Sequence, residues 1–121
     1  MRPIFVALSQ AEAEAVMRPA LNLNMQRGVR ANADLAAARR AFLAEGEDLT
    51  AEDLSDDWFD FLVRKEHCHV GTPEYVTDRL RKYVDELGCS HFVLFWALPL
   101  VTFEQYRQSL ALFSEKVMPN F

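Results

Sequence analysis

Cysteine and glycine are scarce in this 121-residue sequence, which contains two cysteines and four glycines. The pair Cys68 and Cys89 is too small for a disulfide framework and favours a reducing compartment. No apolar run approaches the roughly 20 residues that a helix needs to cross a bilayer. The apolar part of the N-terminus is also shorter than that of the usual signal peptide. We therefore expect a cytoplasmic protein with no membrane partner.

Basic residues are in the minority, since 13 Lys and Arg stand against 18 Asp and Glu, for a net charge of −5. Nucleic acids bind surfaces with clustered positive charge, so we expect no nucleic-acid partner. Half of the residues are hydrophobic and nine are Phe. This apolar content, in a chain of ordinary domain length, is sufficient for a core.

The stretch 67–76 organises the rest of the sequence. Its first residues have the character of a short buried strand, and a helix begins almost immediately afterwards. Gly71 suits a tight turn, Thr72 is a typical N-cap and Pro73 fits the first helical position. The apolar spacing predicts a helix that ends at Gly88. A strand that runs directly into a capped helix indicates a βαβ unit.

The remaining elements are predicted from similar patterns. We expect strands at 3–8 and 91–96. A helix begins at Ser9, where Glu12 completes a capping box, and Pro19 either ends or kinks it or opens a second helix toward Met25. Further helices are expected at 34–43 and 58–63, and between them a solvated acidic connection at 45–57 with small helix starts at Thr50 and Ser55. The last helix begins at Thr102, where Gln105 completes a capping box, and ends at Pro119. The stripe predicted to be buried on that last helix consists of Phe103, Tyr106, Leu110, Phe113 and Val117. Strands that alternate with helices predict a parallel α/β sheet. Three such strands leave two unprotected edges, which indicates that further strands should lie beside them.

Several segments, in this order, resemble the bacterial luciferase-like, flavin-dependent monooxygenases. They are the opening 4–7 with 11–13, the turn 70–76 with Leu80 and 87–88, and the tail 109–119. The resemblance implies the α/β fold of a partial (β/α)₈ TIM barrel, of which residues 1–121 form one segment with the last three parallel strands and their helices. In that case further strands of the barrel would cover the open edges of the sheet.

The resemblance also implies a function. Members of this family use reduced FMN and molecular oxygen to oxygenate a small organic substrate, and some relatives use the deazaflavin coenzyme F420 instead. A flavin reductase as partner and a homodimer of the full-length protein are further implications. Much of the family's flavin phosphate site is expected earlier in the barrel, so we expect this chain to be inactive alone.

In a barrel the chemistry takes place at the carboxyl ends of the strands, which gives the candidate site residues. Gly71 and Thr72 offer backbone amides at a helix N-terminus and Trp96 an aromatic wall, so these three are expected to bind the cofactor. Leu98 and Pro99 are the candidates for the substrate pocket. Thr72 alternatively only caps its helix, and Trp96 alternatively only packs in the core.

His69 is the candidate catalytic residue, as a proton donor, because imidazole titrates near neutral pH. No metal site is expected, because alternation along a strand places His67 and His69 on one face and Cys68 on the other. Two other functions stay open. In the first, the chain is a non-enzymatic assembly module that pairs its strand edges with another copy or with a separate N-terminal half. In the second, it is a small stand-alone enzyme that uses His69 or Thr72.

Overall fold

A computed structural model describes residues 2–28, 34–95 and 98–121, with only the backbone for 94–95. Helices make up 63% of the structure. In chain order the elements are β1 (Arg2–Val6), α1 (Gln10–Gly28), α2 (Leu35–Arg40), α3 (Ala51–Ser55), α4 (Trp58–Arg64), β2 (His69–Gly71), α5 (Pro73–Leu87), β3 (Leu94–Phe95), α6 (Phe103–Leu112), a π-helical turn (Phe113–Val117) and a 3₁₀ turn (Met118–Asn120). Within these residues, no helix has both the length and the apolar character to cross a membrane.

The sheet is small and β1 lies in its middle. β1 and β2 run parallel and pair at three positions, from Ile4 opposite His69 to Val6 opposite Gly71. On the other side of β1, β3 adds only two paired positions, at Arg2 and Pro3. The strand order is therefore β2-β1-β3.

The predicted partial TIM barrel is wrong. The structure is mostly helical, and in the described part of the chain the only ladder longer than two positions is the short parallel pair β1–β2. In a barrel, moreover, consecutive strands are neighbours and all helices lie outside, whereas here β1 separates β2 from β3. Of the predicted strand 91–96, the described residues 91–95 form a strand at Leu94–Phe95, whereas Val93 lies before the sheet and is 68% exposed.

Two apolar cores, one on each face of the sheet, hold the helices in place. Alternate residues of β1 point into different cores, as the period of a strand requires. Phe5 and Ala7 pack with α1 and α4, whereas Ile4 and Val6 pack with α5 and the π-helical turn. Helices that cover both faces of a parallel sheet define a layered α/β arrangement.

The local predictions around β2 and α5 are confirmed. Thr72 caps α5, since its hydroxyl accepts a hydrogen bond from the amide of Tyr75 at 3.3 Å. Gly88 ends the helix with a φ of 63°, a left-handed conformation that favours glycine. The capping box predicted for Thr102 and Gln105 is also present at the start of α6.

Two predictions about long helices are corrected. Pro19 neither ends nor divides α1, which continues to Gly28 while its residues Met17 and Leu21 stay buried in the core. The buried stripe predicted for the last helix is wrong at Phe103, which is 82% exposed, and at Leu110, which is half exposed. Ser109 is buried instead, because α6 faces the end of β1 through it.

The acidic stretch 45–57 is only partly a solvated connection. The carboxylate of Asp53 is fully buried, and it pairs with Arg64 and, at 3.3 Å, with Lys65. Hydrogen bonds from Thr50 and from these basic side chains hold the pKa of Asp53 far below its usual range, against the cost of burial. This buried ion pair fixes α3 against α4.

Candidate functional site

A cleft with a volume of about 530 Å³ lies beyond the carboxyl end of β1. The end of β1 and the residues after it, 5–8, form its floor, while the start of α1 and the middle of α6 form its sides. α1 packs on one face of the sheet, where Leu98 and Val101 of the loop after β3 also pack, and the end of the last helix packs on the other face through Phe113 and Val117. The helices that follow two neighbouring strands thus lie on opposite faces here, which is where open parallel sheets bind their ligands.

The cleft combines an apolar floor with a few polar groups. Phe5, Val6 and Ala7 are buried, whereas Leu8 at the rim is 77% exposed. Polar groups come from Glu12 of α1 and from residues of α6 that include Gln105, Arg107, Gln108 and Ser109. An apolar surface with a small number of polar groups is the usual composition of a small-molecule site.

Ser109 closes the inner end of the cleft. Its side chain is fully buried and its hydroxyl oxygen accepts a hydrogen bond of 2.8 Å from the amide of Val6. This bond gives the last amide of β1 a partner and fixes α6 against the strand. The wall of the cleft therefore has a defined position relative to its floor.

The predicted cofactor residues Gly71 and Thr72 lie at the carboxyl end of β2 but do not line this cleft. The side chain of Gln10 covers the turn, because its amide nitrogen donates to the carbonyl of Val70 at 3.1 Å. Its amide oxygen lies so close to Gly71 that a Cβ atom at that position would be 2.4 Å away. The hydroxyl of Thr72 is engaged as the cap of α5. Their role in cofactor binding stays a prediction.

The other predicted pocket residues are found in the core or beyond the described part of the chain. Trp96 lies outside the described residues. Leu98 is buried in the same core as Phe5, and its carbonyl accepts a hydrogen bond from the hydroxyl of Tyr106 at 3.2 Å. Pro99 is half-buried in the turn that follows. Neither Leu98 nor Pro99 lines the cleft, so their role as a substrate pocket also stays a prediction.

His69 is the first residue of β2 and therefore lies at the end of the sheet opposite the cleft. The imidazole is 1% exposed, and its Nε2 is 2.9 Å from the hydroxyl of Tyr83. Burial, together with the nearby guanidinium groups of Arg2 and Arg79, lowers the pKa of His69 to about 4. His69 is thus neutral at pH 7, and its catalytic role stays a prediction.

The polar lining of the cleft was missed in the sequence. Arg107 and Gln108 occupy positions that the apolar stripe assigned to a solvated helix face, and Glu12 was interpreted only as part of a capping box. One signal was present, since Ser109 interrupts the apolar residues of the last helix. A small polar residue on a helix face next to buried positions indicates a hydrogen bond across the interface.

Among the residues that the structure describes, no three His, Cys, Asp or Glu side chains are grouped as a metal site requires. His67 and His69 instead bond to different partners, the carbonyl of Phe42 at 2.8 Å and the hydroxyl of Tyr83. Comparison of the chain with protein-family models, curated proteins and solved structures finds no match.

Proposed function

We propose that this chain works as the C-terminal part of a flavin-dependent monooxygenase and that its 530 Å³ cleft takes the flavin, with FMN as the first candidate. The position of the cleft carries the proposal. It lies at the carboxyl end of β1, where the helices that follow two neighbouring parallel strands pack on opposite faces of the sheet. The resemblance to luciferase-like monooxygenases supplies the class of cofactor.

The residues of the cleft fit a flavin mononucleotide. Its volume is within the roughly 300–1,000 Å³ of small-molecule sites, and its apolar floor suits an aromatic ring system. Gln105 and Gln108 offer amide groups for the polar edge of such a ring. Arg107 is exposed, and among the described residues its guanidinium pairs only with Glu104 of the same helix, at 2.8 Å. An exposed guanidinium can exchange that partner for a phosphate, which it binds with two parallel hydrogen bonds.

Bound reduced flavin would supply the electrons for the reduction of molecular oxygen. The contribution of this chain is to hold the ring on the end of β1 and to exclude water from one side of it. The cleft is open on its outer side, and Leu8 projects from its rim. We therefore propose that another polypeptide segment completes the site, and that this chain alone binds flavin without catalysing oxygenation.

The experiment is a titration of the protein with FMN, riboflavin and coenzyme F420, followed by the quenching of their fluorescence. FMN should bind more tightly than riboflavin because only FMN carries the phosphate. Arg107→Gln should weaken FMN binding about tenfold, the effect of one charged hydrogen bond, and leave riboflavin binding unchanged. Leu8→Asp, at an exposed position on the rim, should weaken the binding of both.

Two variants serve as controls because they introduce the same types of substitution at surface positions outside the cleft. Arg40→Gln removes an exposed positive charge outside the cleft, and Leu54→Asp replaces an exposed leucine of α3. Both should bind FMN as the wild type does. The proposal is wrong if none of the three flavins binds, or if the cleft variants and the control variants bind equally well.

A non-enzymatic assembly module is the second candidate. The observation that favours it is the position of β3, an edge strand of only two residues preceded by the exposed Val93 and the partly exposed Phe92. An unpaired strand edge beside exposed apolar residues can pair with a strand of another chain, and a lysine at such an edge prevents this pairing. Val93→Lys should shift the protein toward monomer in sedimentation velocity if copies pair there. A wild type that is monomeric at all concentrations contradicts pairing between copies.

A further inference from the structure

A second cleft, of about 240 Å³, lies at the amino ends of β1 and β2, away from the proposed flavin site. Its base includes Arg2 and Ile4 of β1 and His69 of β2, and it has no lining residue in common with the first cleft. The volume is below the roughly 300–1,000 Å³ of sites for drug-sized ligands. It therefore suits a molecule about the size of a single ring.

The hydrogen bonds around His69 define its tautomer. The hydroxyl of Tyr83 donates to the carbonyl of Glu66 at 3.2 Å, and that carbonyl also accepts from the guanidinium of Arg2. Since the single proton of Tyr83 is used in this bond, the 2.9 Å contact between the Tyr83 oxygen and Nε2 of His69 requires the ring proton on Nε2. Nδ1 of the neutral imidazole then carries a lone pair, which has no hydrogen-bond partner in the described part of the chain.

The lone pair on Nδ1 is an unsatisfied acceptor inside the protein. His69 is 1% exposed, and burial together with the nearby guanidinium groups lowers its pKa to about 4, so the imidazole is neutral at pH 7 and Nδ1 accepts. A buried polar atom without a partner costs free energy, which a ligand with a suitable group recovers. The polar group of such a ligand must therefore be a hydrogen-bond donor.

The charges around the cleft favour an uncharged donor. Arg2 carries the one permanent charge among the described residues that line the cleft, and its guanidinium lies 5.4 Å from the centre of the Tyr83 ring. An ammonium group at Nδ1 would be repelled by this guanidinium, as protonation of His69 is. The carboxylate of Glu66, which would favour a cation, is already paired with two basic side chains. A hydroxyl group has a proton to donate and no charge.

Most of the remaining lining is apolar. Ile4 and Leu80 are buried, whereas Phe92 is 38% exposed and Leu87 is 68% exposed. The partly exposed ring of Phe92 has apolar area left to cover, and aromatic rings pack well against one another. The body of the ligand is therefore expected to be an apolar ring.

From this arrangement we propose that the second cleft binds a small neutral phenol, whose hydroxyl donates to Nδ1 of His69 and whose ring packs against Leu80 and Phe92. To reach Nδ1, the ring displaces side chains of the segment 88–93, which forms neither a helix nor a strand.

The test follows the imidazole ¹⁵N signals of His69 by NMR, with p-cresol as the probe. Before any addition, Nε2 should carry the ring proton and Nδ1 should not. Titration with p-cresol should shift the Nδ1 signal to saturation, in the direction of a lone pair that accepts a hydrogen bond. The methyl ether of p-cresol has no proton to donate, so it should not produce this shift and should bind about tenfold more weakly, the effect of one hydrogen bond.

Two substitutions test the polar and the apolar contact separately by calorimetric titration. His69→Phe keeps a ring but removes the acceptor, so it should bind p-cresol and the methyl ether equally well. Leu87→Asp, at an exposed position on the wall, should weaken the binding of both, whereas Leu54→Asp on α3 should bind them as the wild type does. The proposal is overturned if Nδ1 carries the proton in the free protein, or if the wild type binds both probes equally well. It is also overturned if p-cresol leaves the Nδ1 signal unchanged, because water alone then satisfies the lone pair.

Discussion

The buried imidazole of His69 makes the stability of this protein depend on pH. Burial and the guanidinium groups of Arg2 and Arg79 lower its pKa to about 4, and the carboxylate of Glu66 opposes them only in part. In the unfolded chain the same group is expected to titrate near its ordinary value of about 6.5. Below about pH 6.5 the unfolded state therefore binds a proton that the folded state does not bind, and the free energy of unfolding decreases as the pH falls.

The size of the effect follows from the two pKa values. Each pH unit between them is worth about 1.4 kcal/mol, so the full loss is about 3 kcal/mol and is complete near pH 4. Between about pH 8 and about pH 5, where only the unfolded state is substantially protonated, the loss from this one group is about 2 kcal/mol. Above about pH 7 neither state is protonated and the contribution of His69 to the pH dependence is zero.

The assay is urea unfolding of the wild type and of His69→Gln at a series of pH values. Glutamine keeps a hydrogen-bonding group for Tyr83 but does not ionise, so the variant should lose about 2 kcal/mol less than the wild type between about pH 8 and about pH 5. Burial also lowers the pKa of His67, and its share is present in both proteins and cancels in the comparison. His91→Gln, at an exposed position, is the control. Parallel pH profiles for the wild type and His69→Gln would refute the reasoning.

Three further substitutions test individual contacts through the free energy of unfolding in urea at neutral pH. Asp53→Asn should cost about 2 kcal/mol, because Arg64 and Lys65 lose their buried partner and retain Asp56 and Glu47, respectively, and an unchanged stability would contradict the role of that ion pair. Ser109→Ala should cost about 1–2 kcal/mol, since the buried amide of Val6 loses its acceptor, and a cost near zero would contradict that hydrogen bond. Gly71→Ala should cost about 1–3 kcal/mol, because a Cβ would lie 2.9 Å from the Tyr75 ring, and an equally stable variant would show that the turn has room.

Features that depend on neighbours in sequence were predictable. The caps at Thr72 and Thr102 and the glycine end of α5 are set by hydrogen bonds within a few residues. The residue types alone therefore specify them. The helix start at Thr50 was predicted for the same reason, whereas the start predicted at Ser55 is wrong, because Ser55 is the last residue of α3. The predicted helix at 58–63 is present as α4, and the side chain of Asp57 caps it.

Features that depend on distant residues were not predictable. Pro19 is tolerated inside α1 because buried neighbours such as Met17 and Leu21 hold both halves of the helix against the same core. Asp53 is buried because Arg64 and Lys65 of the following segment reach it. The apolar residues of the last helix do not all face inward, because Ser109 takes the position next to β1. Each of these outcomes depends on tertiary contacts, which cannot be deduced from the composition or the periodicity of the sequence.

The order of the strands decides which residues can form a site, and the sequence pattern does not determine that order. An apolar strand followed by a capped helix is equally compatible with a barrel, where consecutive strands are neighbours, and with an open sheet, where β1 can lie in the middle. The barrel places the turn at Gly71 and Thr72 at the ligand, whereas the order β2-β1-β3 leaves it under Gln10. Because α1 and α6 then lie on either side of the end of β1, the proposed ligand site is formed by residues that no sequence motif marks.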